Sequence, residues 1–366
     1  MIVTFPFIPN PLISGLAGLT FPNFTTGDIL YITGEAENLY GNEASSIMPR
    51  TNLVTRIKVT GYTYVEHGLN LVSTESHASP YNPPLKYLTS ELSKYNKIPP
   101  DTHQEIQLVQ ASKESSTITT FTFQLPEGKT VEYIPGQHAI LDFSAENSNG
   151  YRHMADEAPQ SLNDDFIRSW TISSIPEIDP STGNYLPSTN FSCTIKYKYG
   201  GAVSPMLHRW AKQRHHYNDL NIKFIGVEGA FTCFDACHKL KHGKLLFIAG
   251  GVGITPFLSM LAVFKTRDIK ADVVMLFSAR GDDVNLGTRF KDAGIDTSIF
   301  STNTKSTEGV EVIERRIAYD DVSGVPDLLE REVYLCGPDG FMQVMKGFLE
   351  KAGVEAGKVN VESFAF

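Results

Sequence analysis

The residues Gly250-Gly-Val-Gly-Ile-Thr-Pro256 stand between the apolar run Leu245-Leu-Phe-Ile-Ala249 and the helix-like run Phe257 to Phe264. Glycines in a strand-to-helix turn adopt positive φ and let the backbone approach a ligand, while the free N–H groups of the first helical turn attract an anion such as a pyrophosphate. A second turn of this kind, Tyr199-Gly-Gly-Ala-Val-Ser204, runs into Pro205-Met-Leu-His-Arg-Trp210 and puts a hydroxyl at a helix mouth, which suits a second phosphate group. Arg168-Ser-Trp-Thr171 leads into Ile172-Ser-Ser174 and sets a cation and an aromatic ring at alternate positions of one strand, so Arg168 and Trp170 share a face. Each has a plain structural reading: a connecting turn, a Gly-Gly hairpin capped by Ser204, a strand with a buried Trp and a surface Arg. The second turn shifts the balance toward ligand binding.

Particular elements must position these residues. From Lys244 onward strand and helix alternate: Leu245 to Ala249, Phe257 to Phe264, Val273 to Ser278, Thr297 to Phe300, Glu332 to Cys336 and Phe341 to Lys351. That rhythm predicts a parallel sheet covered by helices. Short strands over residues 104 to 228, among them Ile106–Val109, Ile118–Phe123, Ala139–Phe143, Phe191–Tyr197 and Ile222–Ile225, predict an antiparallel barrel or sandwich. Upstream, Asp28–Thr33 and Thr55–Tyr62 alternate as strands of a small all-β unit. Ser73 to Asp101 contains Pro80, Pro83, Pro84, Pro99 and Pro100, with a short helical pattern around Leu85 to Tyr95, and reads as a connector. The expected organisation is multidomain β plus α/β: a β unit over 1–72, a Pro-rich connector over 73–102, a barrel over 103–240 and an α/β domain over 241–366.

Composition narrows the function classes. A length of 366 residues accommodates two or three domains, and 41% hydrophobic content excludes disorder as the dominant state. A net charge of -9 without clustered Lys and Arg argues against nucleic acid and fits an enzyme of small molecules. Cys193, Cys233, Cys237 and Cys336 form no disulfide framework, favouring a reducing, cytoplasmic setting. Cys233 and Cys237 have no second ligand pair to complete a metal site, and the expectation is buried thiols with no metal. Met1 to Leu19 is apolar but lacks a basic n-region and is broken by Pro6, Pro9 and Pro11, and no run reaches the roughly 18 apolar residues of a membrane span.

In this order the motifs resemble those of the ferredoxin–NADP reductase superfamily over about residues 104 to 366. The family's Arg-x-Tyr-Ser/Thr signature is similar to Arg168-Ser169-Trp170-Thr171, with Trp in place of the commoner Tyr. Its Pro-Gly-Gln segment is matched by Pro135, Gly136 and Gln137, and its Gly-x-x-Ser segment by Gly201-Ala202-Val203-Ser204 after Gly200. Gly250, Gly251, Gly253, Thr255 and Pro256 match Gly-Gly-x-Gly-x-x-Pro, Cys336-Gly337-Pro338 matches Cys-Gly-Pro, and Glu362-Ser-Phe364 resembles the acidic and aromatic residues near the family's C-terminus.

The resemblance implies an antiparallel FAD-binding β-barrel followed by a parallel-sheet α/β nucleotide-binding domain, with hydride passing from NAD(P)H to flavin N5. It implies that Arg168 neutralises the FAD pyrophosphate with help from amides around Gly201 and from Ser204, that Trp170 packs near the flavin, and that Thr171 hydrogen-bonds near N5. Cys336 and Glu362 would line the nicotinamide side, and either Phe364 or Phe366, since Ala365-Phe366 extend the chain, would cover the flavin. Ser278 and Arg280 offer a hydroxyl and a guanidinium to a 2′-phosphate, which favours NADPH, while Asp282 and Asp283 would repel it. Lys305 reads as a solvated loop lysine, and both nucleotides stay open.

Gly27-Asp-Ile-Leu-Tyr-Ile-Thr-Gly34 and Arg56-Ile-Lys-Val-Thr-Gly61 resemble closing strands of an FMN-binding split barrel of the pyridoxamine-phosphate-oxidase type, here without that fold's earlier strands. The implication is a unit that packs against the reductase module rather than one that binds FMN. The expected activity is an FAD-dependent NAD(P)H oxidoreductase that delivers electrons to an unidentified acceptor, a small molecule or a redox protein. The alternative is a flavin-fold scaffold or partner protein without redox turnover.

Overall fold

Long alternating runs near the N-terminus pair into a hairpin: β1 (Ile2–Val3), β2 (Leu16–Pro22), β3 (Ile29–Tyr40) and β4 (Leu53–Val65) form an antiparallel sheet in the order β1-β4-β3-β2. The short helix α1 (Asn42–Ile47) joins β3 to β4 and buries Ala44 against Leu39, Met48 and Val54. In this computed structural model the described residues are 2–3, 15–49, 51–70, 79–82, 86–91, 103–147, 154–213, 220–235, 237–306 and 309–363. They fall into two compact units, drawn from residues 1–102 with 149–164, and from 103–148 with 165–366. Tyr81 explains why the second segment belongs to the first unit: its hydroxyl bonds Asp156, and its carbonyl accepts the Asn163 amide at 2.8 Å. Of the helical pattern expected at Leu85 to Tyr95, the described part is a single 3-10 turn, Thr89–Glu91.

The second unit begins with β5 (Gln104–Lys113), β6 (Ile118–Gln124), β7 (His138–Asp142) and β8 (Ile167–Thr171). A small hairpin, β9 (Glu177–Ile178) and β10 (Tyr185–Leu186), precedes β11 (Asn190–Lys196), the helix α2 (Val203–Gln213) and β12 (Ile222–Glu228). The antiparallel order β11-β6-β5-β12-β7-β8 curls until its ends meet, where Ile172 bridges Cys193 and the Ser173 N–H donates to the Ser192 carbonyl at 2.8 Å. This closure is the expected barrel. Its core is aromatic, with Phe121, Phe123, Phe143 and Phe191 fully buried.

From residue 244 follow β13 (Lys244–Gly250), α3 (Thr255–Thr266), β14 (Asp272–Ser278), α4 (Thr288–Lys291), β15 (Asp296–Phe300), α5 (Tyr319–Ser323), β16 (Glu332–Gly337), α6 (Asp339–Lys351) and β17 (Val359–Ser363). The strands pair in parallel as β15-β14-β13-β16-β17. Alternation assigns the faces: Leu245, Phe247 and Ala249 pack with α3, while Leu246 and Ile248 pack with residues of α5 and α6. Phe231, Cys233 and Phe234, ahead of β13, join the α3 face together with Ile118 of the barrel, so barrel and sheet share one core cluster. Among the described residues no helix is long and apolar enough to cross a membrane.

Arg331 ties the amino ends of the sheet strands. It is 2% exposed and donates to the carbonyls of Pro326, Leu245 and Asp272 at 2.7, 3.1 and 3.0 Å, and to the Asp272 carboxylate at 2.9 Å. Arg331→Ala strands these acceptors, and we expect it to cost about 3 kcal/mol of unfolding free energy in urea titration. A loss below about 1 kcal/mol would show that water replaces the guanidinium.

Candidate functional site

Strand order locates the site. The chain leaves β13 toward β14 and β15 on one side and returns to β16 on the other, so the crevice at the carboxyl ends of β13 and β16 is where open α/β sheets take ligands. There β13 ends at Gly250, a 3-10 turn covers Gly251–Ile254, and α3 opens at Thr255 with Pro256 in its first turn. Gly251 needs the left-handed region, at φ 56°. Gly250 and Gly253 answer to packing: a Cβ on the first would lie 2.8 Å from the Phe341 ring, and one on the second 2.4 Å from the Cys336 carbonyl oxygen. Gly337 is equally confined, its Cβ meeting Phe341 at 2.9 Å and Gly250 at 3.1 Å, and Pro338 follows as the N-cap of α6.

Barrel and sheet bring four side chains into a row. Parallel register sets Glu362 of β17 beside Cys336 of β16. The Glu362 carboxylate lies 3.5 Å from Nδ1 of His138, both side chains about one-fifth exposed. His138 opens β7 and is the register partner of Thr171 on β8. Thr171 is 3% exposed, and its buried Oγ1 has no hydrogen-bond partner among the described residues, which is unusual for a buried hydroxyl and marks it as a candidate ligand contact. Cys336 is fully buried; burial first, then the Glu362 charge, pushes its thiol well up, so it stays protonated at neutral pH. The sequence reading passes over His138, whose signal is its place directly after Gln137.

The rest of β8 is half-buried. Arg168 donates one bond to the Ile167 carbonyl at 2.8 Å, Ser169 pairs with Ile140, and Trp170 stands edge-on to Phe143 with ring centroids 5.5 Å apart. Just before the strand, Phe166 is held at φ 57°, a conformation that costs a bulky side chain about 1–2 kcal/mol and that its burial in the barrel core offsets. Closure of the barrel sets β8 beside β11, whose continuation is the second glycine turn. There Gly200 turns at φ 72°, the Gly201 N–H donates to the Lys198 carbonyl at 3.1 Å, and Ser204 Oγ accepts the Lys198 N–H at 3.0 Å. Val203 is buried in the barrel core, with Ala202 packed beside it.

Pro135, Gly136 and Gln137 fix the start of β7. Gln137 accepts the Ile134 N–H at 2.8 Å and donates to the Gly229 carbonyl at 3.0 Å, while the Gly136 N–H donates to Ser259 of α3 at 3.1 Å. At the end of β14, Ser278 is half-buried and Arg280 exposed, and the next residue, Gly281, bonds Asn303 and Thr304 at 3.3 and 3.2 Å. Lys305, exposed, follows in that segment. Asp282 and Asp283, expected to oppose a 2′-phosphate, both accept from barrel donors: Asp283 from Ser115, Thr117 and Lys196, Asp282 from Ser116. Cys233 is buried as expected, but Cys237 is exposed. Phe364 and Phe366 lie outside the described residues.

Comparison with known proteins adds three findings. Residues 247–347 match the oxidoreductase NAD-binding domain family. The chain is 26% identical over 273 residues to the glycine betaine monooxygenase reductase subunit of Pseudomonas aeruginosa, covering 71% of this chain and 63% of that protein. It is 27% identical over 270 residues to the stachydrine N-demethylase reductase subunit of Rhizobium meliloti, covering 71% and 66%. It thus spans under two-thirds of these relatives' lengths. Its fold is shared with the FAD/NAD-binding domain of a nitric oxide dioxygenase from Vibrio cholerae, at a TM-score of 0.53 and 19% identity over 71% of this chain and 98% of that one.

Proposed function

We propose that this chain, which belongs to the ferredoxin–NADP reductase superfamily, is an FAD-dependent NAD(P)H oxidoreductase that passes electrons onward to a separate redox protein. The observation that carries the reading is the row Thr171, His138, Glu362 and Cys336, in which an orphaned barrel hydroxyl adjoins the acidic and thiol groups at the mouth of the nucleotide sheet. The residues fit the coenzymes: a buried hydroxyl awaits a polar ring atom, and each glycine turn opens a helix toward a phosphate.

When bound, NAD(P)H would supply a hydride and FAD would be its acceptor. The protein's part is placement. Arg168 and the amides around Gly201 would neutralise the FAD pyrophosphate, and Trp170 would pack near the flavin ring. Thr171 Oγ1, on the strand that pairs with His138, would donate a hydrogen bond to the flavin edge. The neutral, buried Cys336 thiol would back the nicotinamide side of the site, and Glu362, with His138 at 3.5 Å, would favour positive charge there. No protein nucleophile or proton transfer is required.

Anaerobic mixing of the FAD-loaded protein with NADPH or NADH tests the reading directly. Rapid bleaching of the visible flavin band is the expected result; a flavin that neither nucleotide bleaches, or a protein that does not take up FAD, overturns it. The oxygenase-reductase names of the relatives support a redox protein as acceptor, to be tested by mixing reduced protein with candidate acceptors. Arg280, exposed beside Ser278, is the proposed contact to a 2′-phosphate. An exposed ion pair is worth about 1 kcal/mol, so Arg280→Ala should raise the KM for NADPH about fivefold and leave that for NADH unchanged. Equal changes for the two nucleotides would remove the assignment.

A further inference from the structure

The consecutive carboxylates Asp282 and Asp283 take no part in the row just described, yet they are among the most fully engaged in the unit. Asp283 is 1% exposed and accepts from three barrel side chains: Ser115 Oγ at 2.5 Å, Thr117 Oγ1 at 2.9 Å and Lys196 Nζ at 2.6 Å. Asp282 accepts both the N–H and the hydroxyl of Ser116 at 2.6 Å, and the Ser116 hydroxyl leads in holding its carboxyl below the ordinary range against the opposing effect of burial. Glu114, in the same β5–β6 turn, pairs with Arg289 of α4 and accepts the Thr120 hydroxyl at 2.7 Å. A fully buried carboxylate is tolerated only when charge and hydrogen bonds compensate it, and among the described residues every side-chain donor to the Asp283 carboxylate comes from the barrel.

Both ends of this lock continue into coenzyme-binding turns. Asp282 and Asp283 follow Arg280 after one glycine, within the 3-10 turn Gly281–Gly287. Lys196 is the last residue of β11, and Lys198 donates its N–H to Ser204 of the second glycine turn at 3.0 Å. Hydride transfer needs reacting atoms about 3–3.5 Å apart, and a misplacement of about 1 Å far from the chemistry can lower the rate about 10²-fold. We infer that Asp283 is a positioning residue: with Asp282 it locks the turn that carries Arg280 to the strand that feeds the Gly200–Ser204 turn, and so sets the spacing between the two coenzymes. The inference rests on the functional reading above.

The test uses the full FAD-loaded chain and Asp283→Asn, which keeps the side-chain volume but loses the charge paired with Lys196. Hydrogen exchange should quicken at least tenfold at the amides of residues 114–118 and 279–287 and stay unchanged in β13 and β16. FAD content and the reoxidation of dithionite-reduced flavin by ferricyanide should match wild type, while flavin reduction by NAD(P)H falls at least tenfold. Local quickening without slower reduction overturns the positioning role, and so does exchange that rises equally through β13 and β16. Should Asp283→Asn not fold, Ser115→Ala removes one donor and is read by the same measurements. If wild-type flavin is not reduced by either nucleotide, the functional reading fails, and the exchange pattern alone decides whether the lock exists.

Discussion

Glu362→Gln should slow nicotinamide-driven flavin reduction about 10²-fold while leaving FAD content and thermal stability unchanged, because it removes one negative charge without changing size. The carboxylate sits where charge matters: in register with the fully buried Cys336 and 3.5 Å from the His138 imidazole, itself the strand partner of Thr171. An interaction that strengthens only as the donor ring becomes positive lowers the barrier rather than the Michaelis constant. The loss is therefore expected in the limiting rate at saturating nucleotide, with little change in KM. His138→Gln, which removes the partner and spares the carboxylate, should give a smaller decrease in the same direction. A Glu362→Gln variant that reduces its flavin at the wild-type rate would show that the carboxylate is only a strut between β17 and β7.

The glycines of the first turn should respond very unequally to an added methyl group. Gly253→Ala puts a Cβ 2.4 Å from the Cys336 carbonyl oxygen and 2.8 Å from Gly337 Cα, both backbone atoms at the end of a buried strand. Neither can yield without bending β16, so we expect a loss of about 2–3 kcal/mol, a fall of about 5–10 °C in Tm, and flavin reduction lowered at least tenfold. Gly251→Ala meets nothing within 4 Å and bears only the penalty of φ 56°, about 1–2 kcal/mol, which Asn there should partly relieve. Thermal unfolding of the three variants decides the matter, and equal shifts for Gly251→Ala and Gly253→Ala would contradict the packing account.

That contrast shows what the sequence conveyed and what it withheld. Leu245 to Ala249 read as a buried parallel strand because five consecutive apolar residues suit nothing else between two turn signals, and all five are fully buried. The same text offered Gly250 and Gly253 as parts of a ligand-binding turn and did not show a packing requirement: their absent side chains, like that of Gly337, make room for Phe341 and for the neighbouring turn. For Asp282 and Asp283 the local text likewise conveyed only part of the arrangement. Their closeness to Arg280 is local and visible, but their donors are distant in the chain: Ser115, Ser116 and Thr117 lie 166–168 residues upstream and Lys196 lies 87 residues upstream. His138 escaped notice because its partner Glu362 belongs to the last strand described, and no local periodicity links the two. Barrel closure through Ile172 and Cys193 is likewise a non-local pairing that alternation alone does not specify.

The Glu362 carboxylate rides on the outermost ribbon of its sheet, since among the described residues β17 pairs with β16 and with no other strand. A protease that clipped the chain ahead of Val359 would do two things at once: delete Glu362 and bare the amides and carbonyls of β16, an invitation to aggregation. Damaged copies would then leave solution rather than persist as soluble, inactive protein.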